Sequence, residues 1–275
     1  VNGGVTLLDG PIGTMLEAQG IPTPPPLWSA AALRSHPGAI AALHAAYAAA
    51  GATVHTAATF RTSPTAAGPA ARALTQEAVR LARGAVPAHH RVAGSLAPVH
   101  DCWRPDLSPP DAERIHRRTA ALLAEAGVDL ILCETHPHPE EAVAATRAAA
   151  ATGLPVWTSL TPGFAGDLLS PAALAEAACR AADAGAAHVL VNCLPAAHAD
   201  PWVAALAATG LPWGVYANLG AIADGLAGDA GPARYAAIVT RWLISGASVI
   251  GGCCGTTPAH IAALRETLRH LRDRP

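Results

Sequence analysis

Three of the six cysteines stand where short apolar runs meet turns. In SVIGGCCGTTP, residues 248–258, an apolar run enters a glycine pair and then Cys253 and Cys254. Gly255 and Thr256-Thr257-Pro258 follow, and they read as a turn and the opening of a helix. Neighbouring residues on a regular strand face opposite ways, so the two thiols share one ion only if the backbone leaves strand geometry. Gly251, Gly252 and Gly255 supply that freedom in this reading. Cys193 closes the run Ala187-His188-Val189-Leu190-Val191-Asn192 in the same manner. Three thiols at two strand ends suggest a metal of the zinc type, and inert buried thiols or a vicinal disulfide are the alternative that spacing leaves open. Zinc with three protein thiolates keeps a fourth position for a substrate thiol. Coordination deprotonates that thiol and leaves an anionic centre whose sulfur stays nucleophilic.

The segments GGCCGTTPAHI (251–261), VNC (191–193) and LLDGPIGTM (7–15) together resemble the homocysteine S-methyltransferase family. That family includes the homocysteine-binding barrel of cobalamin-dependent methionine synthase. The matching motifs run from Leu7 to Ile261, nearly the whole chain. The resemblance implies an α/β fold of the (β/α)8 TIM-barrel type and zinc on Cys193, Cys253 and Cys254. It also implies that Asp9 and Glu134 lie in the homocysteine pocket, with the glutamate reaching the amino group. The chain departs from the family pattern at several places. Asp9-Gly10-Pro11 replaces Asp-Gly-Gly, Leu190 replaces a glycine, Ala57-Ala58-Thr59-Phe60 lacks an amide, and Ala217-Asn218-Leu219-Gly220-Ala221 lacks an acid.

The elements that must carry these groups follow from periodicity. Strands are expected at 5–10, 53–59, 91–97, 128–133, 156–160, 187–192, 214–217 and 248–250. Helices are expected to 50 with a break near Pro37-Gly38, then at 70–85, 111–127, 140–151, 171–184, 201–208, 232–245 and 258–272. Eight strand–helix units without a dinucleotide glycine fingerprint argue for one single-domain barrel over residues 1–275, and against a doubly wound sheet.

Barrel active sites lie at the C-terminal strand ends. Those positions hold Asp9-Gly10, Thr59-Phe60, Glu134-Thr135, Cys193, Asn218 and Cys253-Cys254. Asp9, Gly10, Thr59, Glu134 and Asn218 are therefore the candidate substrate contacts. Cys133 should point away from the axis if Glu134 points in, Cys179 falls inside a helix, and Cys102 falls in a loop. His136 and His138 are expected in a solvated loop, with a resting metal position for His136 as the minor alternative, and His260 is expected at the surface.

Composition narrows the partners. The formal charge is -2, every basic residue is arginine, and no basic stripe marks a nucleic-acid surface. Without lysine there is no Schiff-base chemistry. No run approaches the roughly 20 apolar residues of a membrane span, and no basic leader opens the chain, so a reducing cytoplasm is expected. The partners are a small thiol acceptor and a small methyl donor. The chain closes about one helix after the last thiols, which reads as leaving no room for folate or cobalamin modules. A sulfonium, S-methylmethionine or S-adenosylmethionine, is therefore the expected donor, with betaine weaker because betaine-using relatives carry further C-terminal sequence. Tyr216 and Trp103 are named as cation–π contacts to it, each worth about 0.5–2 kcal/mol. Two rival readings remain: another thiol or selenol acceptor, and a thiol- or zinc-binding module without turnover.

Overall fold

The computed structural model describes residues 4–273. Its strands are β1 (Thr6–Leu7), β2 (Val54–Ala57), β3 (Arg91–Leu96), β4 (Leu130–His136), β5 (Val156–Leu160), β6 (His188–Pro195), β7 (Trp213–Asn218) and β8 (Val249–Gly252). All pair in parallel in one 8-stranded sheet, with β1 against β8. A bridge between Leu8 and Val54 joins β1 to β2 and closes the ring. A helix follows each strand: α1 (Pro37–Ala50), α2 (Ala71–Ala85), α3 (Ala112–Glu125), α4 (Pro139–Ala150), α5 (Pro171–Asp183), α6 (Asp200–Ala207), α7 (Gly231–Ile244) and α8 (Pro258–Arg272). The fold is the (β/α)8 barrel that the repeating pattern implied.

Local chemistry explains the boundaries. Pro37 opens α1, where its missing N–H costs nothing, and Gly51 closes it at φ 112 with its N–H on the Tyr47 and Ala48 carbonyls. Ser170 caps α5 by accepting from the Ala173 N–H at 3.2 Å. In α2, Ala71, Leu74, Thr75, Ala78, Val79 and Ala82 recur at helix spacing and are buried.

Strand alternation sorts the core into two shells. Leu8, Val54, Ala93, Leu130, Leu132, Trp157, Leu190, Tyr216 and Val249 fill the lumen as one cluster. Their neighbours along the strands, such as Ile131, Cys133, Val189 and Val191, pack outward with the helices. Cys133 thus faces away from the axis, as alternation requires. Among the described residues no helix is long and apolar enough to cross a membrane.

Two histidines, His136 and His260, differ from expectation, whereas His138 stays in the loop with its side chain 34% exposed. β4 continues through His136, which is fully buried and donates from Nε2 to the Leu96 carbonyl at 3.2 Å. Its ring packs 5.7 Å from that of His116, on the helix side of β4. It is therefore neither solvated nor placed with the three thiols. His138 caps α4, accepting from the Glu141 N–H at 3.3 Å. His260 is buried too: it accepts from the Thr257 N–H at 3.2 Å and donates to the Leu226 carbonyl at 3.0 Å. Each sits at the start of a helix or the end of a strand, where backbone groups lack ladder partners and take the ring nitrogens instead.

Glu141 organises the region beneath β4. Its Oε1 accepts from the Val99 N–H at 2.7 Å and faces His116 Nε2 at 3.1 Å. Burial alone raises this carboxyl, but His116, the nearby His136 and the Val99 N–H outweigh it and bring it down to about 2. A carboxyl lowered on folding contributes stability above its unfolded value, and that stability is lost as pH falls through the folded one. The shift is worth about 3 kcal/mol. Urea unfolding of wild type and Glu141→Gln should therefore differ most near pH 7 and converge toward pH 2. A difference that does not change with pH would contradict this role.

Candidate active site

At the C-terminal ends of the strands a cavity of about 430 Å³ is lined by residues that follow or end β1, β2, β4, β6, β7 and β8. Cys193, Cys253 and Cys254 share it, with their sulfurs all within 4.8 Å of one another. β8 stops at Gly252, so both vicinal cysteines lie in the turn beyond it. Their backbone is tied to the strand next door: the Cys253 N–H donates to the Ala217 carbonyl at 2.9 Å, and the Cys254 carbonyl accepts from the Leu219 N–H at 3.2 Å. Of the three framing glycines only Gly255 needs conformational freedom, at φ 82. Gly251 and Gly252 are small for another reason. A Cβ on Gly251 would stand 2.6 Å from that of Leu8, and one on Gly252 would overlap the Thr256 hydroxyl.

The sulfurs suit a tetrahedral ion. With metal–sulfur bonds of about 2.3 Å, the edge of a tetrahedral thiolate site is roughly 3.8 Å. Cys193 Sγ and Cys254 Sγ lie 3.7 Å apart, and all six cysteines are free thiols. Proton sharing among them is lopsided. Contacts with Cys193 and Cys253 drive the Cys254 thiol down to about 3. Cys253 is driven well up by its contacts with both others. Cys193 is lowered by Cys253 but raised more by Cys254 and by burial. Three adjacent thiols alone settle for a single negative charge, whereas a divalent cation stabilises all of them as thiolates.

Cys193 faces the cavity because β6 breaks its alternation. Val191 and Leu194 both pack outward, and the residues between them are Asn192 and Cys193. Cys193 adopts φ 55, and the pairing with β7 shifts register between Asn192 and Pro195. β4 repeats the device. Its register against β5 shifts between Cys133 and His136, with Thr135 at φ 61 as the additional residue after Glu134. Left-handed backbone costs a non-glycine residue on the order of 1–3 kcal/mol, so both bulges need support from their surroundings.

Glu134 and Asp9 complete the polar side. The Ser95 hydroxyl donates to Glu134 Oε1, and the Tyr216 hydroxyl donates to Oε2 at 3.1 Å. Burial pushes the Glu134 carboxyl up to about 7 against the pull of these two donors, and the Cys254 charge adds to the rise. Asp9 accepts from the Thr56 N–H at 2.9 Å, and burial, with a smaller push from Glu134, holds it well above the usual carboxylate range. Two uphill carboxyls on a cavity wall are a site prepared for a cation. Behind Asp9, the fully buried His44 places Nδ1 3.9 Å from Oδ2, and burial lowers it to about 4.

The mouth is aromatic. Trp28 and Phe60 stack with centroids 5.5 Å apart, and the Arg61 guanidinium lies 4.6 Å from the Trp28 ring. Arg61 donates to the His100 carbonyl at 2.6 Å, which ties this pair to the loop carrying Cys102 and Trp103. Trp103, 38% exposed, also lines the cavity.

Among the residues expected from sequence, Asp9, Gly10, Glu134, Cys193, Cys253 and Cys254 line the cavity, as do Tyr216 and Trp103. Thr59 and Asn218 do not. Thr59 donates to the Ser95 carbonyl at 3.0 Å and accepts from the Ser95 N–H at 2.8 Å, joining β2 to β3. Asn218 accepts from the Gly220 N–H at 2.9 Å and shapes the loop after β7. Unpaired backbone groups at strand ends claim short polar side chains before a ligand can. Gly10 contributes backbone only, since a Cβ there would stand 2.7 Å from the Tyr47 ring. Ser95, Asn192 and Trp28 escaped the sequence reading. An alternation count places Ser95 and Asn192 on the inner face, but nothing in the local pattern signals Trp28.

Comparison with known proteins points one way. The sequence profile of the family described as homocysteine S-methyltransferase matches residues 6–268. The homocysteine S-methyltransferase of Escherichia coli (strain K12) is 33% identical over 299 residues, covering 95% of this chain and 94% of that relative. The crystal structure of the homocysteine methyltransferase MmuM from Escherichia coli in its metallated form is similar at a TM-score of 0.82, with 29% identity and 96% of each chain covered. Its apo form gives 0.74, with 28% identity and 97% of each chain covered.

The thiol geometry makes a direct demand. Metal-stripped protein should take up about one zinc ion per chain, and Cys193→Ser, Cys253→Ser and Cys254→Ser should each lose it. Cobalt in the same place should show intense thiolate-to-metal charge transfer, absent from the variants. Unchanged metal content in Cys253→Ser/Cys254→Ser, by elemental analysis, would rule the cluster out as the ligand set.

Proposed function

The chain belongs to the homocysteine S-methyltransferase family, and we propose that it moves a methyl group from a small sulfonium to the thiol of homocysteine, forming methionine, with zinc on Cys193, Cys253 and Cys254. Membership makes it an enzyme of the thiol methyltransferase class. The observation that carries the finer reading is the meeting, on one cavity, of three sulfurs at tetrahedral spacing with a pair of uphill carboxyls. Zinc, when bound, would keep the acceptor sulfur as a thiolate.

The protein's own groups do the rest. Glu134, oriented by Ser95 and Tyr216, accepts from the acceptor's ammonium, and Asp9 adds a second negative charge on the same wall. An arriving ammonium favours the ionised form of both, reversing the effect of burial. The acceptor is thereby held with its sulfur toward the cysteines and its charged end away from them. In the transfer, the bond between methyl and sulfonium sulfur breaks as the bond to the homocysteine sulfur forms. The broken bond's electron pair stays on the donor, which leaves as a neutral thioether. Positive charge is lost at the donor and negative charge at the acceptor, so a low-dielectric cavity favours the step. Trp28 and Phe60 are engaged by each other and by Arg61, so Trp103 is the rim ring assigned to meet a sulfonium. Tyr216, whose hydroxyl donates to Glu134, also lines the cavity and offers its ring to the donor. Six free thiols fit a reducing compartment such as the cytoplasm.

Glu134→Gln should lower kcat/KM for homocysteine by about one to two orders of magnitude, through loss of roughly 1.5–3 kcal/mol of charged hydrogen bonding, and keep its zinc. Because Glu134 is neutral below about 7 and charged above, wild-type kcat/KM for the acceptor should climb with pH through that range. The glutamine variant should lack that limb; full activity in it would remove Glu134 from the acceptor site.

Donor identity is tested by offering homocysteine with S-methylmethionine, S-adenosylmethionine, betaine, methyltetrahydrofolate or methylcobalamin, separately and at equal concentration. Methionine, followed by mass, should form with a sulfonium. Turnover with betaine, folate or corrinoid but neither sulfonium would overturn the donor assignment.

A further inference from the structure

The bulges of β4 and β6 are matched, and one side chain joins them. Asn192, fully buried, reaches from β6 past β5 to β4. Its Oδ1 accepts from the Thr135 N–H at 3.2 Å and from the Ser159 hydroxyl at 2.8 Å, and its Nδ2 donates to Thr135 Oγ1 at 2.8 Å. Both faces of the amide are thus used, and the Thr135 N–H that it holds belongs to the left-handed residue of the β4 bulge. On its own strand Asn192 immediately precedes the other left-handed residue, Cys193. At the far end Thr135 immediately follows Glu134. A single amide therefore stands one peptide from a thiol ligand and two hydrogen bonds from the residue beside the acceptor acid.

The chemistry of the side chain is specific. Aspartate keeps an acceptor for Thr135 N–H and Ser159 but cannot donate to Thr135 Oγ1. Leucine fills similar volume and leaves the bulge N–H and the Ser159 hydroxyl without a partner in a water-poor lumen. Glutamine is longer by a methylene, and the lumen around it is packed with Leu132, Trp157, Leu190 and Tyr216.

Resting on the function proposed above, we infer that Asn192 is a positioning residue that fixes Cys193 and Glu134 relative to each other, so that zinc affinity and acceptor recognition are weakened together when it is lost. It touches neither partner itself; it acts by holding two strained backbone segments in the one arrangement that turns a thiol and a carboxyl onto the same cavity.

The test uses the full chain. Zinc affinity is measured by chelator competition without acceptor, and homocysteine KM and kcat are measured on zinc-saturated protein, for wild type, Asn192→Leu, Asn192→Asp and Thr135→Val. Asn192→Leu should lose about 10–100-fold in zinc affinity, the range for groups that orient metal ligands, and raise acceptor KM about 10-fold. Asn192→Asp should recover part of both. Thr135→Val leaves Asn192 in place and removes only the Thr135 Oγ1 contact, so smaller losses in both readouts are expected even if Asn192→Leu fails to fold. In the Asn192→Leu background, Glu134→Gln should cost less than in wild type, because the acid is already misplaced. Zinc affinity and KM at wild-type levels in the variants, with only the melting temperature lowered, would overturn the inference and leave the proposed function intact. Wild type that takes up zinc but methylates no homocysteine would overturn the proposed function, with the zinc arm still deciding whether Asn192 positions Cys193. Wild type that takes up no zinc would overturn both.

Discussion

Three sulfurs held within 4.8 Å of one another are the constraint on which this structure turns. Left to themselves such thiols cannot all ionise, and the proton distribution among them shows it: one is driven far down while its partners are driven up. Flexible loops would let the sulfurs part. Here they are carried on β6 and on the turn after β8, which flank β7 in the sheet and are hydrogen-bonded to it. Below them the lumen is filled by Leu190, Trp157 and Tyr216, so the strand ends have no room to spread inward.

The second requirement is direction. A parallel strand buried on both faces offers only every other side chain to the lumen, which gives few places for polar groups near the axis. Bulges in β4 and β6 break that rule at matched heights, each adding one residue in left-handed conformation. The gain is that Glu134 and Thr135 on one strand, and Asn192 and Cys193 on the other, all turn inward. The cost is backbone strain, offset by polar contacts spanning β4, β5 and β6. The same belt reaches Glu134 through Ser95 of β3 and Tyr216 of β7. Positioning of Glu134 and of Cys193 is thus a property of the strands β3 to β7, not of either loop.

Charge follows from that placement. Glu134 and Asp9 are surrounded by protein even though the cavity keeps Glu134 in partial contact with solvent, and burial raises both carboxyls. Their hydrogen bonds pull the other way without cancelling burial. A cationic group against this wall would remove the conflict by favouring the ionised carboxylates. The aromatic mouth is electrically different: Trp28 and Phe60 stack on each other and already carry the Arg61 guanidinium.

How much of this was legible beforehand depends on the range of the interaction. Strand–helix repetition is local, and residues 5–272 declared the barrel, with the break near Pro37-Gly38 and the entry at Ser170 marking helix ends where backbone chemistry requires them. Cys193, Cys253, Cys254, Asp9 and Glu134 were also readable, because reactive groups at strand ends stand out against apolar runs and their motifs resemble a known family. Thr59 and Asn218 look equally eligible in sequence, yet each satisfies a backbone group beside it and is lost to the cavity. Whether a polar side chain serves a ligand or a neighbouring peptide depends on which backbone groups remain unpaired, and that is known only once the strands are in register. His136 and His260 moved from expected surface to core for the same reason, their partners lying 40 and 34 residues away. The inward turn of Cys193 rests on a register shift that strict alternation does not predict. Composition and local spacing determined what chemistry was on offer; tertiary pairing decided which residues face the cavity, since hydrogen-bond satisfaction of a buried backbone is settled between strands and not along them.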